Sequence, residues 1–183
     1  MNKKFVLLAF ASMFLLLTVI GTQLIVAVVA QGPGVSVGDW AEYDGTFSGN
    51  ATMPELNITW AKVTVQAISG TKVTVELRLL YGNGTEETDI YVLDVDTGQG
   101  NGSNSGLLIA ANLNAGDLVY TSPPSGPFLG ATINETIFKT YPVGNVQVNH
   151  LNITRSYSVP GYGMYNMSAN YYWYKSTGML TEM

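Results

Sequence analysis

The chain has no cysteine and one histidine, and only 11% of its 183 residues are charged. Without cysteine there can be no disulfide, no thiol nucleophile and no thiolate metal site. A lone histidine, His150, cannot build a multi-histidine metal centre, and a catalytic triad would need a credible serine beside it. Eight Lys and Arg stand against thirteen Asp and Glu, for a net charge of −5, and the basic residues form no run. That balance sets nucleic acid aside as a partner. From Trp40 onward no stretch shows helical spacing, and the apolar period is two. The remaining composition, rich in Gly, Asn, Thr and Tyr, favours strands and turns.

One long hydrophobic run is present. Phe5–Ala30 follows Lys3 and Lys4 and carries no charge. As a signal peptide it offers a basic start, an apolar middle, and small residues at Val28 and Ala30 before Gln31. As a retained anchor it reaches the roughly 20 apolar residues that span a bilayer. Either way the lysines stay inside and residues 31–183 face outside. The expected organisation is therefore a hydrophobic helix over 1–30, cleaved or kept, and an extracellular domain over 31–183. Lys3 and Lys4 are the only charges in the first segment, so the second keeps six basic and thirteen acidic residues, −7. A domain of that size can bury its own core.

The clearest element is a hairpin over 59–69 and 71–81. Ala61, Val63, Val65 and Ala67 share one face, as do Val73, Val75, Leu77 and Leu79. A three-residue loop, Ile68-Ser69-Gly70, would set Val65 opposite Val73 and Val63 opposite Val75, with Lys62 facing Glu76 and Trp60 facing Arg78. An Asn83-Gly84 turn leads into a strand over 88–95. Loops are expected at 97–106 and 121–130, the first mobile by composition and the second kept out of a central strand by its prolines. Further strands are expected at 107–113, 131–141, 145–158, 163–175 and 179–183. The fold class is all-β: one antiparallel sandwich or curved half-barrel of about nine to ten strands. A weak internal echo runs through it. Gly38-Asp39 and Gly116-Asp117 each open a strand, Thr97-Gly98 and Thr177-Gly178 follow in each half, and Leu-Asn-Ile-Thr recurs at 56–59 and 151–154.

Asn50, Asn57, Asn83, Asn101, Asn134, Asn152 and Asn166 head N-x-S/T sequons, roughly three times what composition alone gives, which points to N-glycosylation of an exported chain. Gly34-Val35-Ser36-Val37-Gly38 matches a nucleophile elbow but lacks the strand before it and the helix after it; a flexible arm into the first strand is the plainer reading. Asp96-Thr97-Gly98 matches the aspartic-protease triplet in a single copy, which would require a dimer to pair two carboxylates. Asp94 and Asp96 form a weak calcium candidate without the spacing of an EF-hand. Tyr171 and Trp173 share one face of a strand, and Tyr172 and Tyr174 the other. The outward rings make a candidate binding surface for sugar, lipid or protein.

Three motifs together, Val37-Gly38-Asp39-Trp40-Ala41-Glu42-Tyr43, Asn114–Tyr120 and Tyr172-Trp173-Tyr174-Lys175-Ser176-Thr177-Gly178-Met179-Leu180, resemble a broad group of archaeal secreted or membrane-anchored β-rich surface proteins. The resemblance spans most of residues 37–182 through short motifs. It implies compartment and fold, and it brings no catalytic residues. Members often continue into a second membrane segment; with this chain at Met183 the expected tether is residues 5–30. The expected function is non-enzymatic: an N-glycosylated, secreted or surface-anchored β protein with an envelope-structural or adhesive role, and no cofactor. The alternatives are a ligand-binding module for a lipid, a sugar or another apolar ligand, and a fibre subunit that donates the arm 31–37 or the strand 179–183.

Overall fold

The computed structural model describes residues 31–45, 58–101, 106–123, 126–159 and 163–183, with the side chains of 155–159 and 163–167 left out. The hydrophobic run Phe5–Ala30 and the sequons at Asn50 and Asn57 lie outside the described residues. Strands β1 (Trp40–Asp44), β2 (Ile58–Ser69), β3 (Lys72–Tyr81) and β4 (Glu86–Asp94) form one antiparallel sheet in that order. Strands β5 (Glu135–Tyr141), β6 (Gly144–Val159), β7 (Gly163–Tyr174) and β8 (Leu180–Glu182) form a second, also in sequence order. Among the described residues there is no helix, and so none long and apolar enough to cross a membrane.

Among the described residues eight strands form, where nine or ten were expected of the whole domain. Three pairings reduce to isolated bridges: Leu93 with Gly100, Leu108 with Met179, and Leu118 with Thr132. The expected strand 107–113 is a buried strap. It lies along the edge of β8 through Ile109 N to Gly178 O (2.9 Å) and Leu180 N to Leu107 O (2.9 Å). It bends away at Asn112, whose φ is 59°.

The β2–β3 hairpin keeps its expected faces and changes its register. Ser69 pairs with Lys72, so the turn is the two residues Gly70-Thr71. A turn of that parity would put the two apolar faces on opposite sides of the sheet. A bulge at Gln66 restores them, since the pairing shifts between Val65 and Ala67. Val65 therefore faces Val75 and Val63 faces Leu77, two residues from the expected partners. Beyond the bulge the alternation inverts: Ile68 packs inward and Ala67 is exposed. Lys62 faces Arg78 rather than Glu76, and Trp60 faces Leu80 rather than Arg78. Lys62 turns instead to Glu42 on β1 (3.0 Å), and Arg78 to Glu86 (3.6 Å).

The sequence echo is a structural repeat. In the first half Ser36 N donates to the Asp39 carboxylate (2.8 Å), Gly38 N to Val65 O (2.9 Å) and Val65 N to Asp39 O (2.8 Å). In the second, Asn114 N donates to the Asp117 carboxylate (2.8 Å), Gly116 N to Ile133 O (2.8 Å) and Ile133 N to Asp117 O (2.9 Å). Gly38 and Gly116 adopt φ of 93° and 91°, a region open to glycine. The closing turns match as closely. Gly98 N donates to Asp94 O and Gly178 N to Tyr174 O, both at 2.7 Å, and Thr97 and Thr177 cap the amides of Gln99 and Met179. Each half is thus a Gly-Asp turn, a following segment that is strand β1 in the first half and a single bridge at Leu118 in the second, a three-stranded meander and a Thr-Gly turn. The Leu-Asn-Ile-Thr echo falls outside this equivalence, since Ile58 opens β2 while Leu151–Thr154 lie inside β6.

Both sheets contribute to one hydrophobic core, with Val63, Val65, Val73 and Val75 from the first and Leu151, Ile153 and Trp173 from the second. The connection between the halves fills the rest, through Leu108, Ile109, Leu113, Tyr120 and Phe128. The arm 31–38, read as flexible, is pinned. Val35 is buried, Gly32 O accepts from Ala111 N (3.0 Å), and a Cβ on Gly34 would lie 2.1 Å from Ser176 O.

Candidate functional site

The repeat brings the segment after each Gly-Asp turn against the other half's Thr-Gly turn, and the two seams differ. In one, Tyr120 lies on Gly98, where a Cβ would come within 2.7 Å of the ring. The Tyr120 hydroxyl donates to Leu108 O (2.8 Å) and accepts from Gly106 N (2.9 Å). Thr121 donates its amide (2.7 Å) and its hydroxyl (3.1 Å) to Asp96 O. With Tyr120 only 1% exposed, that seam is sealed.

At the other seam β1 approaches the Thr177-Gly178 turn and β8. Four residues after its turn glycine stands Glu42, where the second half has Tyr120. Glu42 points outward to Lys62, and that ammonium lies 4.5 Å from the centre of the Trp40 ring. Tyr43 spans the seam, donating its hydroxyl to Leu180 O (2.8 Å), and burial pushes its pKa well above the usual phenol value. Among the described residues this leaves an open groove of about 590 Å³. One wall is Gly38–Tyr43; the other is Tyr141, Val143, Tyr174 and Met179–Thr181. Val37, Trp40 and Val143, 63%, 58% and 76% exposed, put large apolar side chains in or beside it.

A difference between the halves builds the far wall. Val148 faces Tyr174 as Lys72 faces Asp94, so the β6 residues before Val148, Gly144–Gln147, have no counterpart in the first half. The longer β5–β6 hairpin carries Tyr141 and Val143 out to the groove. Tyr141 stacks on Tyr174 (6.2 Å between centroids, 30°) and its hydroxyl meets that of Thr181 (3.0 Å). Burial is the largest of the effects that raise its pKa.

The aromatic run divides by face. Trp173 is fully buried, stacked on Tyr171 at 5.5 Å, and its indole N–H donates to Gly106 O (2.7 Å). Tyr174 reaches the groove, whereas Tyr172 belongs to a polar network on the outer face of the second sheet. The His150 ring stacks on Tyr172 (4.5 Å, 11°), and the Lys139 ammonium lies 3.7 Å from the Tyr172 centroid. Burial is the largest single effect on Lys139 and lowers its pKa, but the hydrogen bond to Glu182 (2.5 Å) and the charges of Tyr141, Glu182 and Tyr172 together outweigh it, and the net shift is upward. The two His150 nitrogens meet Glu135 (2.9 Å) and Asn170 (3.0 Å). Val148 on this face is fully buried outside the shared core, covered by its neighbours here.

Of the sequons, Asn83, Asn101, Asn134 and Asn152 are exposed, while the side chain of Asn166 is not described. Asn83, Asn101 and Asn134 use the side-chain oxygen to accept from the amides of Thr85, Val92 and Asn152. Asn152 donates its amide nitrogen to Ser168 (3.2 Å) and Asn170 (2.9 Å). Asp94 and Asp96 are not drawn together around a common centre. The Asp94 carboxylate caps the amides of Asp96 (3.1 Å) and Thr97 (3.2 Å), and Asp96 presents its carbonyl to Thr121. The loop after them, expected to be mobile, folds back over β4 as far as it is described: Asp94 N donates to Gln99 O (2.8 Å) and Asn101 N to Val92 O (3.2 Å). Sequence reasoning reached Tyr174 as a site residue and the strand 179–183 as an element, and missed Trp40, Tyr43 and Tyr141, which meet that strand only through the pairing of the halves. The one available signal was Trp40, a large apolar residue directly after a Gly-Asp turn. No protein-family model, curated protein or solved structure matches this chain.

Proposed function

We propose that this is an exported, N-glycosylated, non-enzymatic surface domain of adhesive type, and that it binds through the groove between β1 and β8. The two sheets are read as a sandwich closed over the shared core rather than as a half-barrel. The observation that carries the binding reading is the asymmetry of the repeat: one seam is filled by Tyr120, and its equivalent is left as a groove of about 590 Å³. Aromatic rings and exposed aliphatic side chains at such a concave surface suit a ligand or partner better than bulk water. The hydrophobic run 5–30 and the exposed sequon asparagines support export and glycosylation. The fibre reading in which the arm 31–37 or the last strand is donated gains nothing from the geometry. Val35 is buried in this chain's own core, and β8 is held between β7 and the 107–109 strap.

The test compares wild type with Trp40→Ala for retention on isolated envelopes of the native host. At least a tenfold loss is expected; equal retention sinks the groove reading. Intact mass of the protein from that host reports processing and glycans in the same preparation. An unprocessed mass with no added sugar overturns both the signal-peptide cleavage and the glycosylation.

A further inference from the structure

Resting on the groove reading and naming its ligand class, we infer that the groove receives an extended polypeptide segment, added as a further strand to the outer edge of β1. Six consecutive residues, Gly38–Tyr43, line the groove. A groove across a sheet face meets alternate residues, so consecutive lining marks the edge of a strand. The hydrogen-bond parity agrees. Gly45 N bonds Thr59 O and Val65 N bonds Asp39 O, so the odd-numbered residues of β1 spend their backbone groups on β2. Trp40, Glu42 and Asp44 therefore turn their N–H and C=O groups outward, and no described residue meets them. Such a row of groups templates another strand.

The sheet border across this seam is occupied. The edge of β8 is bonded to Leu107–Ile109. Charge narrows the partner. Asp39, Glu42 and Asp44 are carboxylates along this edge, with Lys62 as the cation bonded to Glu42. A segment alternating apolar with basic residues complements both the apolar groove and the acidic edge. A second copy of this chain, at −5 overall, brings like charge and fits less well.

The test tethers a probe. A Lys-Val-Lys-Val-Lys-Val-Lys segment is fused after Met183 through a flexible Gly-Ser linker in the full chain, purified in detergent, so that a weak contact becomes intramolecular. Deuterium uptake over residues 38–45 is then measured. The expected result is at least tenfold slower exchange there than in the untethered chain. Two variants must restore the untethered rate: Glu42→Pro, tolerable because its N–H faces outward from an edge strand, and a probe with proline replacing its valines. Unchanged exchange with the tether overturns the proposal, and so does protection that survives both prolines. An untethered chain already protected at 38–45 also overturns it, since its edge is then paired. A parallel titration with soluble oligosaccharides separates the two levels. If they shift the Trp40 indole signal while the tether does nothing, the strand fails and the groove reading stands; if neither acts, both fail.

Discussion

The buried residues of the first sheet are all aliphatic, Val63, Val65, Val73, Val75, Leu77 and Leu93, with Tyr43 and Tyr91 only at the margin, whereas the second sets Trp173 and Tyr171 beside Leu151 and Ile153 and receives Tyr120 and Phe128 from loops. Their turns are nearly the same, bond for bond. A turn constrains its residues through backbone geometry: a φ near +90° favours glycine, and a free amide needs an acceptor such as Asp39 or Asp117. A core position asks only for apolar volume that fits its surroundings. The halves therefore agree at the positions where chemistry leaves little choice and differ where it leaves much. The divergence at one position, Glu42 against Tyr120, accompanies the difference between an open and a sealed seam.

The turn glycines give the sharpest way to break that comparison. Gly38 and Gly116 have open space where a side chain would go, while a Cβ on Gly178 would lie 2.0 Å from Ile109 O and one on Gly98 2.7 Å from the Tyr120 ring. Gly178→Ala must therefore move backbone and is expected to cost more than about 4 kcal/mol, or to prevent folding. Gly98→Ala can push against a ring and should cost roughly 3 kcal/mol. Gly38→Ala and Gly116→Ala meet only the left-handed penalty, about 1 kcal/mol each. Urea midpoints of the four variants check the ranking. Equal costs at Gly38 and Gly178 would show that the two kinds of turn are not distinguished by packing.

Core filling comes next. Phe128 touches Tyr120, Tyr171 and Trp173 edge-on at 5.7, 5.1 and 6.1 Å between centroids, so Phe128→Ala empties the centre of the aromatic half. A loss of about 3–5 kcal/mol is expected, against roughly 2 kcal/mol for Val75→Ala in the aliphatic half. A Phe128→Ala cost no larger than that of Val75→Ala would mean that the second half relaxes around its cavity.

How far the sequence could be read follows the same division. The faces of β2 and β3 were legible because burial imposes a period of two. Their register was not, because no glycine or proline marks the bulge at Gln66 and a two-residue shift leaves the faces unchanged. The Gly-Asp and Thr-Gly echoes were legible as letters, and their equivalence needed the hydrogen bonds. The strand expected at 107–113 has the right apolarity and bonds to β8 over a single bridge only. The groove was the least legible feature. It depends on Trp40 meeting residues about 140 positions later, a pairing that no local pattern encodes.

The two seam tyrosines offer a pH-dependent contrast. Burial raises the pKa of both Tyr43 and Tyr120 above the ordinary phenol value of 10. Below that value folded and unfolded chains hold the same phenol protons. Above it the unfolded chain releases protons that the folded one keeps, so stability falls as pH rises. Tyr120→Phe strands Gly106 N and Leu108 O in the sealed seam and should cost about 2–3 kcal/mol. Tyr43→Phe loses one bond at the half-open seam and should cost about 1 kcal/mol. Each variant should also flatten the fall in urea midpoint between pH 9 and 11.5, and an unchanged profile would show that its phenol does not report on folding.

The smallest effect is expected at the exposed ion pairs, of which each half carries one beside an aromatic ring. Lys62 meets Glu42 at 3.0 Å beneath Trp40, and Lys139 meets Glu182 at 2.5 Å beside Tyr172. All four side chains keep substantial contact with water, so each pair is expected to add less than about 1 kcal/mol and to fade in 1 M salt. Their settings still differ. Lys62 faces Arg78 across the ladder, so Glu42→Gln leaves two cations opposed, whereas Glu182→Gln leaves Lys139 with the faces of Tyr141 and Tyr172. Glu42→Gln should therefore be the costlier of the two at low salt, and the gap should close as salt is added. A gap that persists at 1 M salt would assign the difference to packing of the Lys62 stem on Trp40 rather than to charge.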